Sequence, residues 1–283
     1  MTSAEPVLVN GVPADAVSSL DRGLHFGDGL FETIACVQGV PRFLSLHLQR
    51  LASGCQRLQI EAPDLVATRA EVQSFAGPPG AASGRCIVKV LMTRGVATVR
   101  GYAASGREKA TRITIRYPWP PEDPRHVQDG VTARTLAMRL GENTLLAGLK
   151  HCNRLEQVLA RSQMSGESEG LLFSSSGKLV SGTMSNVFLV HGSLVRTPRL
   201  DCCGVAGVMR RVVMQEAAAM GVPVEERELR QVDLATADEV FLTNARIGIW
   251  PVSRLDDRAL AVGPVTRRLQ QALSPLLEIP AHA

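Results

Sequence analysis

The sequence contains no apolar run near the roughly 18 residues that a membrane-spanning helix needs. Its N-terminus, MTSAEPVLVNG, also lacks the basic segment and the apolar core of a secretory signal peptide. These two absences predict a soluble, cytoplasmic protein.

The six cysteines form no C-x-x-C motif and no paired Cys/His spacing of the kind that zinc sites use. Cys202 and Cys203 are adjacent, which leaves a redox or metal role open. Without a second thiol cluster, an incidental pair of loop residues is the simpler interpretation. We therefore expect reduced cysteines and no metal site.

Basic residues do not cluster, since the net charge is only +4 and Lys and Arg are scattered along 283 residues. This pattern gives little support to nucleic-acid binding. Hydrophobic residues make up 45% and charged residues 20%, which is typical of a globular protein without long disorder. The length exceeds a usual single core of about 100 to 150 residues, which favours two medium domains or one large one.

Strand and helix patterns follow one another in mixed order, which predicts an α+β fold. An Asn-Gly pair within residues 7–12 predicts a β-hairpin. Strands are predicted over residues 86–93, 111–117, 131–137, 170–174, 178–181, 186–191 and 239–243, and amphipathic helices over 45–60, 153–164, 206–220 and 264–275.

A proline-rich stretch, PWPPEDP at residues 118–124, interrupts this pattern. Proline lacks an amide donor and restricts the residue before it, so the stretch cannot continue a helix or a central strand. We predict a smaller N-terminal α+β domain over residues 1–117, a linker over 118–124 and a larger C-terminal domain over 125–283. The Arg- and Gly-rich segment 94–110, between two predicted strands, is expected to be a functional loop.

Lys150 is distinguished by its position. It follows Gly148 and precedes the predicted helix 153–164, in the segment LAGLKHCNRLEQVLAR. Burial near a helix N-terminus or near other cations makes an amine lose its proton more readily, and the neutral amine is the form that attacks a carbonyl. A lysine taken by itself is more often a solvated surface residue, so the interpretation depends on the rest of the sequence.

Five motifs occur in the same order across nearly the whole chain. They are FGDGLFET at 26–33, HLQRL at 47–51, the Lys150 segment, SNVF at 185–188 and GVAGVMR at 204–210. Together they resemble the fold-type IV enzymes that use pyridoxal 5′-phosphate (PLP), a class that also contains branched-chain and D-amino-acid aminotransferases. Within this class, the Lys150 segment is most similar to the aminodeoxychorismate lyases.

The resemblance implies roles for several residues at a PLP site. It assigns Lys150 the Schiff base with PLP, and Arg50 the cofactor phosphate, whose oxygens suit a planar guanidinium. The backbone at Gly207, Val208 and Met209 would bind the same phosphate, because a helix N-terminus favours an anion. The remaining residues that it assigns to the cofactor are Ser181, Asn153, Thr243 and Asn244.

Some of these positions also have a purely structural interpretation. Asn153 is equally well explained as the N-cap of the following helix. Thr243 and Asn244 are nearly as well explained by a turn at the end of the strand EVFL. His151 is expected to be structural, because its side chain should point away from the site if the helix begins there.

The resemblance implies the cleavage of 4-amino-4-deoxychorismate, a dianion, to 4-aminobenzoate and pyruvate by a homodimer. Lys150 would be the base, and Lys150 or Thr33 would protonate the leaving group. Family members hold a substrate carboxylate with residues that match Arg100 and Tyr102, although a basic loop is also explained by solvation. Further candidates for substrate binding are Arg94 and Phe31.

One position departs from the family. Relatives carry a glutamate in the strand before SNVF, whose carboxylate keeps the pyridine nitrogen of PLP protonated, and alignment on Asn186 puts Ser181 there. A neutral hydroxyl leaves the ring a weaker electron sink. Transamination depends on that electron sink more strongly than does an elimination that produces an aromatic ring. The serine therefore favours a lyase over an aminotransferase. It also leaves open the alternative that the protein is a relative that binds PLP without catalysing a reaction.

Overall fold

The computed structural model describes residues 6–78 and 84–277, and it confirms an α+β fold. Among these residues, one compact unit extends to Pro120 and includes Lys150–Asn153, and the other contains Pro121–Leu149 and Arg154–Leu277. The division falls within the proline-rich stretch. The sequence placed Lys150 in the C-terminal domain, whereas its segment groups with the N-terminal unit because its backbone pairs with a strand there.

The N-terminal unit is built on a six-stranded antiparallel sheet. Its strands are β1 (Val7–Val9), β2 (Val12–Pro13), β3 (Gly29–Val37), β4 (Val40–Pro41), β5 (Arg85–Thr93) and β6 (Thr111–Pro118), in the spatial order β2-β1-β6-β5-β3-β4. Its helices are α1 (Arg22–Phe26), α2 (Leu44–Leu58) and α3 (Leu65–Ala76). The predicted hairpin turns at Asn10 and Gly11, whose φ angles of 51° and 84° are those that Asn-Gly turns favour.

α2 is the helix that the sequence predicted over residues 45–60, and it packs against β3. Because side chains alternate along a strand, Leu30 and Glu32 face α2 while Phe31 and Thr33 face the opposite side. The stripe that packs on the sheet consists of the buried residues Leu44, Leu48, Leu51 and Cys55. The packing of α2 therefore gives the two faces of β3 different surroundings.

The second unit contains a nine-stranded mixed sheet. Its strands are β7 (Val131–Leu140), β8 (Glu169–Ser174), β9 (Leu179–Gly182), β10 (Asn186–His191), β11 (Leu194–Pro198), β12 (Val224–Arg227), β13 (Glu239–Asn244), β14 (Gly248–Leu255) and β15 (Arg258–Ala259). Its helices are α4 (Arg125–Gln128), α5 (Leu155–Arg161), α6 (Val208–Ala219), α7 (Gln231–Thr236) and α8 (Pro264–Leu277). The spatial order is β12-β11-β10-β13-β14-β7-β8-β9, with β15 beside β14.

The central strands β10 and β13 are buried on both faces. Phe188 and Phe241 stack with their ring centroids 4.8 Å apart on one face, and Leu189 and Leu242 lie in the main core cluster of this unit. At one end of the pair, Asn186 lies directly opposite Thr243. This rigid pair of strands therefore positions the turns that follow it.

Across residues 6–78 and 84–277, no helix is long and apolar enough to cross a membrane. The same residues contain no group of three His, Cys, Asp or Glu side chains that could hold a metal ion. All six cysteines are free thiols.

The burial of β10 leads to a stability prediction. Leu189 is fully buried, so Leu189→Ala should lower the free energy of unfolding by about 2 to 5 kcal/mol through lost burial and a cavity. Leu145 is 79% exposed in the same unit, and Leu145→Ala should cost less than about 0.5 kcal/mol. Urea denaturation of both variants measures the difference, and similar losses would contradict this account of the core.

Candidate functional site

Lys150 lies in a short extended segment that pairs with β3. The amide of Phe31 donates to the carbonyl of Lys150, and the amide of Cys152 donates to the carbonyl of Gly29, both at 2.9 Å. This antiparallel pairing puts Lys150 opposite Phe31, with both side chains on one face of the sheet. The Nζ atom of Lys150 lies 4.2 Å from the centroid of the Phe31 ring.

The same alternation determines where the neighbours of Lys150 point. Thr33 lies two positions after Phe31, so its half-buried side chain is on the Lys150 face. His151 lies opposite Leu30 and therefore points to the other face. The prediction that His151 points away from the site is confirmed, but the cause is strand alternation, because α5 begins only at Leu155.

Asn153 does not cap the following helix. The N-cap of α5 is Arg154, and it makes no side-chain cap bond. Instead, Nδ2 of Asn153 donates to the carbonyl of Gly27 at 3.3 Å. Gly27 has a φ of 64°, and a Cβ there would lie 2.4 Å from Oδ1 of Asn153. The N-cap interpretation is wrong, and Asn153 ties the lysine segment to the turn that precedes β3.

Arg50 is oriented by a buried carboxylate that the sequence analysis did not single out. Its Nε lies 2.8 Å from Oε1 of Glu32 and its Nη2 lies 2.5 Å from Oε2. Nδ1 of His47 lies 2.6 Å from the same Oε2, and Glu32 and His47 are each only 1% exposed. The signal that could have identified Glu32 is a lone charge inside the apolar strand GLFETIACV.

Charges within this cluster determine its protonation. Burial raises the pKa of Glu32, but the charge and hydrogen bonds of Arg50, together with His47, outweigh burial and bring it to about 2. Burial lowers the pKa of His47; Glu32 opposes this shift, while Arg50 and Lys150 add to it. An ionised Glu32 therefore fixes Arg50, the side chain predicted to bind the cofactor phosphate.

The loop that carries Arg100 and Tyr102 is held by another arginine that the sequence analysis did not single out. Arg22 is buried and donates to three successive carbonyls of residues 101–103, at distances from 2.7 to 3.3 Å. The ring of Tyr102 lies 5.2 Å from that of Phe26. The side chains of Arg100 and Tyr102 are themselves exposed, and their role in substrate binding stays a prediction.

Arg94 serves as an anchor within its unit. Its Nε and Nη2 lie 2.7 and 3.1 Å from the carboxylate of Asp28. Nη1 donates to the carbonyl of Gln59 at 2.7 Å, and Nη2 also donates to that of Leu58 at 2.8 Å. All three guanidinium nitrogens thus have partners that connect the start of the loop to the end of α2. Substrate binding by Arg94 stays a prediction, and these contacts count against it.

In the second unit, the N-terminus of α6 depends on a close approach of the backbone. A Cβ on Gly207 would lie 2.0 Å from Oδ1 of Asn186, so only glycine fits there. The side chains of Val208 and Met209 are buried, and within the described ranges no acceptor binds their amides. Unpaired amides at a helix N-terminus form a cradle that suits a phosphate.

Thr243 and Asn244 use their side chains to shape the turn after β13. The hydroxyl of Thr243 donates to the carbonyl of Gly248 at 2.6 Å. Oδ1 of Asn244 accepts from the amides of residues 246–247, each at 3.0 Å, and its Nδ2 donates to the carbonyl of Met184 at 3.2 Å. The strand-ending turn is therefore confirmed, and phosphate contacts by these two residues stay a prediction.

Ser181 lies on β9, opposite Leu172 of β8, and is 9% exposed. Its hydroxyl donates to the carbonyl of Gly182 at 2.8 Å. The side chain thus keeps lone pairs available as an acceptor, but it carries no charge. Its role towards the pyridine nitrogen stays a prediction.

Glu169, at the start of β8, is a buried carboxylate near this position that the sequence analysis missed. It is fully buried, and its Oε2 lies 2.7 Å from the point where a Cβ of Gly182 would stand. Its oxygens accept five hydrogen bonds, from the amides of Gly170, Thr183 and Met184 and the hydroxyls of Thr183 and Ser185. These donors commit Glu169 to the turn between β9 and β10, so it does not take the place of the missing family glutamate.

Removing the charge of Glu32 tests the cluster around Arg50. Breaking a buried ion pair should lower the free energy of unfolding of the cofactor-free protein by about 3 to 5 kcal/mol in Glu32→Gln near neutral pH. Because folding lowers the pKa of Glu32 from 4.5 to about 2, its stabilisation is complete above pH 4.5 and is lost as the pH falls towards 2. The difference from wild type should therefore shrink across that range in urea denaturation.

Glu61→Gln is the matched control for Glu32→Gln. It removes the same charge from an exposed pair with Lys109, whose Nζ lies 2.9 Å from Oε1 of Glu61, and should cost less than about 1 kcal/mol. Equal losses in the two variants, or a Glu32→Gln deficit that does not change with pH, would contradict the assigned role of the cluster.

The Amino-transferase class IV family model matches residues 29–255. The chain is 33% identical to an aminodeoxychorismate lyase of Vibrio harveyi, over 94% of this chain and 98% of the relative. It is 32% identical to a putative branched-chain-amino-acid aminotransferase of Methanocaldococcus jannaschii, over 90% of this chain and 89% of that relative. The crystal structure of 4-amino-4-deoxychorismate lyase from Pseudomonas aeruginosa matches with a TM-score of 0.88 and 46% identity, over 94% of this chain and 97% of that one. The chain therefore belongs to the class IV aminotransferase family.

Proposed function

We propose that this protein is a PLP-dependent lyase that converts 4-amino-4-deoxychorismate to 4-aminobenzoate and pyruvate. The observation that carries the proposal is the position of Lys150, paired by its backbone to β3 with Nζ 4.2 Å from the Phe31 ring and Thr33 on the same face. The similarity to two aminodeoxychorismate lyases, at 33% and 46% identity, supports this substrate.

The residues present fit PLP as the cofactor. Lys150 supplies the amine for covalent attachment, and Glu32 holds the guanidinium of Arg50 ready for an anion. The amides at Gly207, Val208 and Met209 form a cradle at the N-terminus of α6, where a side chain on Gly207 would collide with Asn186. Further contacts are assigned to Asn153, Ser181, Thr243 and Asn244. When bound, PLP supplies a ring that draws electrons from the amine-bearing carbon of the substrate.

Lys150 acts as the base in this proposal and removes the proton from the amine-bearing carbon of the substrate. The carbon-oxygen bond to the enolpyruvyl group then breaks, and the electrons left in the six-membered ring make it aromatic. The departing group takes up one proton, from Lys150 or from the hydroxyl of Thr33, and leaves as pyruvate. Arg100 and Tyr102 hold a substrate carboxylate, Phe31 packs against the substrate, and Arg94 is a weaker candidate for carboxylate binding.

A class IV aminotransferase is the second candidate function. The observation that favours it is the 32% identity to the archaeal branched-chain relative, close to the 33% for the lyase of Vibrio harveyi. Ser181 counts against it, because transamination depends on a protonated pyridine nitrogen more than the aromatising elimination does. A relative that binds PLP without catalysis would form neither product.

We also propose a cytoplasmic homodimer. On α5, Leu155, Val158 and Leu159 are 69%, 62% and 48% exposed and share one helix face. An exposed apolar face of this kind is typical of a surface that a partner covers. The six free thiols agree with a reducing compartment.

Product formation tests the lyase and its base. With substrate generated in situ by an aminodeoxychorismate synthase, the wild type should release 4-aminobenzoate and pyruvate in equal amounts. In Lys150→Ala the rate of product release should fall by at least about 10²- to 10⁴-fold, the range for a missing acid-base group. In Lys109→Ala the rate should not fall. A wild type that forms neither product, or a fully active Lys150→Ala variant, would disprove the proposal.

A second variant tests the effect of Ser181 on reaction choice. Ser181→Glu should raise amino-group transfer from D-alanine or a branched-chain amino acid, relative to lyase turnover, by about tenfold or more, because a carboxylate favours a protonated ring nitrogen. Ser181→Ala should leave the ratio near that of the wild type. If Ser181→Glu speeds the lyase reaction and leaves the ratio unchanged, the serine only slows catalysis and does not select the reaction.

A further inference from the structure

Residues 94–110 connect β5 to β6 without forming a helix or a strand, and α1 holds this loop at two places. At the start of the loop, the amide of Arg22 donates to the carbonyl of Gly95 at 2.8 Å. Further along, the guanidinium of Arg22 donates to the three carbonyls of residues 101–103. A long irregular connection of this kind is typical of a functional loop. One arginine thus binds the loop through both its backbone and its side chain.

The guanidinium of Arg22 is committed to these carbonyls and to one carboxylate. Its side chain is only 5% exposed, and its Nε lies 2.9 Å from Oδ2 of Asp28, which also binds Arg94. A buried cation is costly unless acceptors replace the water that it has lost. The loop carbonyls supply most of these acceptors. A lysine could not replace them all, because three donors on a single nitrogen cannot reach four acceptors that surround a planar group.

α1 also contacts the segment that carries Lys150. The residue that follows the helix, Gly27, accepts a hydrogen bond from Nδ2 of Asn153 at 3.3 Å. The last residue of the helix, Phe26, has its ring 5.2 Å from the ring of Tyr102 in the loop. One short helix therefore connects the loop to the lysine segment.

We propose that Arg22 is a positioning residue that holds the loop in the conformation that binds substrate. The inference rests on the proposed function, in which Arg100 and Tyr102 hold a substrate carboxylate. Arg22 itself does not contact the substrate in this account, and it instead raises the fraction of molecules whose loop is ordered before binding. Because the apparent dissociation constant rises as that fraction falls, loss of the Arg22 contacts should weaken substrate binding without slowing the chemical step at Lys150.

Arg22→Lys tests the inference, because it keeps the charge but loses most of the contacts. Chorismate is the probe, since it carries both carboxylates of the substrate but a hydroxyl in place of the reacting amine. Its dissociation constant from the PLP-loaded protein should rise about 10- to 100-fold in calorimetric titration. In the lyase assay, KM should rise by a similar factor while kcat stays within about twofold. Hydrogen exchange of the amides of residues 97–106 should become at least about tenfold faster.

Arg258→Lys is the matched control. Arg258 also donates to three backbone carbonyls, those of Leu234, Ala235 and Ala237 at the end of α7 in the second unit. The same substitution therefore removes the same kind of contact away from the loop. It should leave chorismate affinity, KM and exchange of the loop amides unchanged.

Gly101→Ala is a second variant that disturbs the loop without removing Arg22. Gly101 has a φ of 101°, and a Cβ there would meet nothing within 4 Å, so alanine strains the loop backbone and leaves the core intact. Chorismate binding should weaken about tenfold. Unchanged affinity in Gly101→Ala would contradict the inference even if Arg22→Lys did not fold.

Two further results would overturn the inference. Exchange of the loop amides in Arg22→Lys could equal that of the wild type, or it could be faster while chorismate affinity and KM stay unchanged, which would make Arg22 a purely structural residue. Failure of the proposed function would look different. A wild type that forms neither product disproves the lyase, whereas exchange of the loop amides still shows whether Arg22 holds the loop.

Discussion

The backbone pairing of the Lys150 segment with β3 is the constraint on which the N-terminal part of the candidate site depends. The hydrogen bonds of Phe31 to Lys150 and of Cys152 to Gly29 fix the register. A slip of one residue would turn Lys150 to the α2 side and bring His151 to the face of Phe31. The bond from Asn153 to the turn at Gly27 supports the register, because only glycine allows so close an approach there.

Two buried carboxylates, one in each unit, organise the polar groups of their own unit by different means. Glu32 is balanced by the charge of Arg50, so it orients a guanidinium. Glu169 accepts five hydrogen bonds from its own neighbourhood, with Nη1 of Arg161 more distant at 3.9 Å, so it shapes the turn that precedes Asn186. An uncompensated buried carboxylate costs several kcal/mol, so each of these clusters is stable only as a complete set.

The cations of the N-terminal unit fall into two groups that differ in their partners. Arg22 and Arg94 are committed to internal acceptors, where they hold the loop and connect it to α2. Arg100, by contrast, is exposed in that loop. Structural cations and a candidate ligand-binding cation therefore lie close together, and charge alone does not distinguish them.

The sequence by itself determined the family and part of the order of the elements, because β3, β11, β12 and β14 were not among the predicted strands. The alternation and helical spacing that predicted residues 186–191 as a strand and 45–60 as a helix are local, so they were visible without a fold. The same analysis did not predict α3, whose apolar residues form no clear stripe. It began α5 two residues early, because the Asn153 side chain bonds to Gly27 and not to the helix.

Only the tertiary structure decided which polar residues face one another. Glu32 and Arg50 meet across a strand and a helix, Lys89 and Thr33 meet across two strands, and Arg94 bonds to the end of a helix. The motifs located Lys150 and Arg50 along the chain, but they carried no information about these partners. Register and face depend on hydrogen bonds between segments that are remote in sequence, and no local periodicity encodes such bonds.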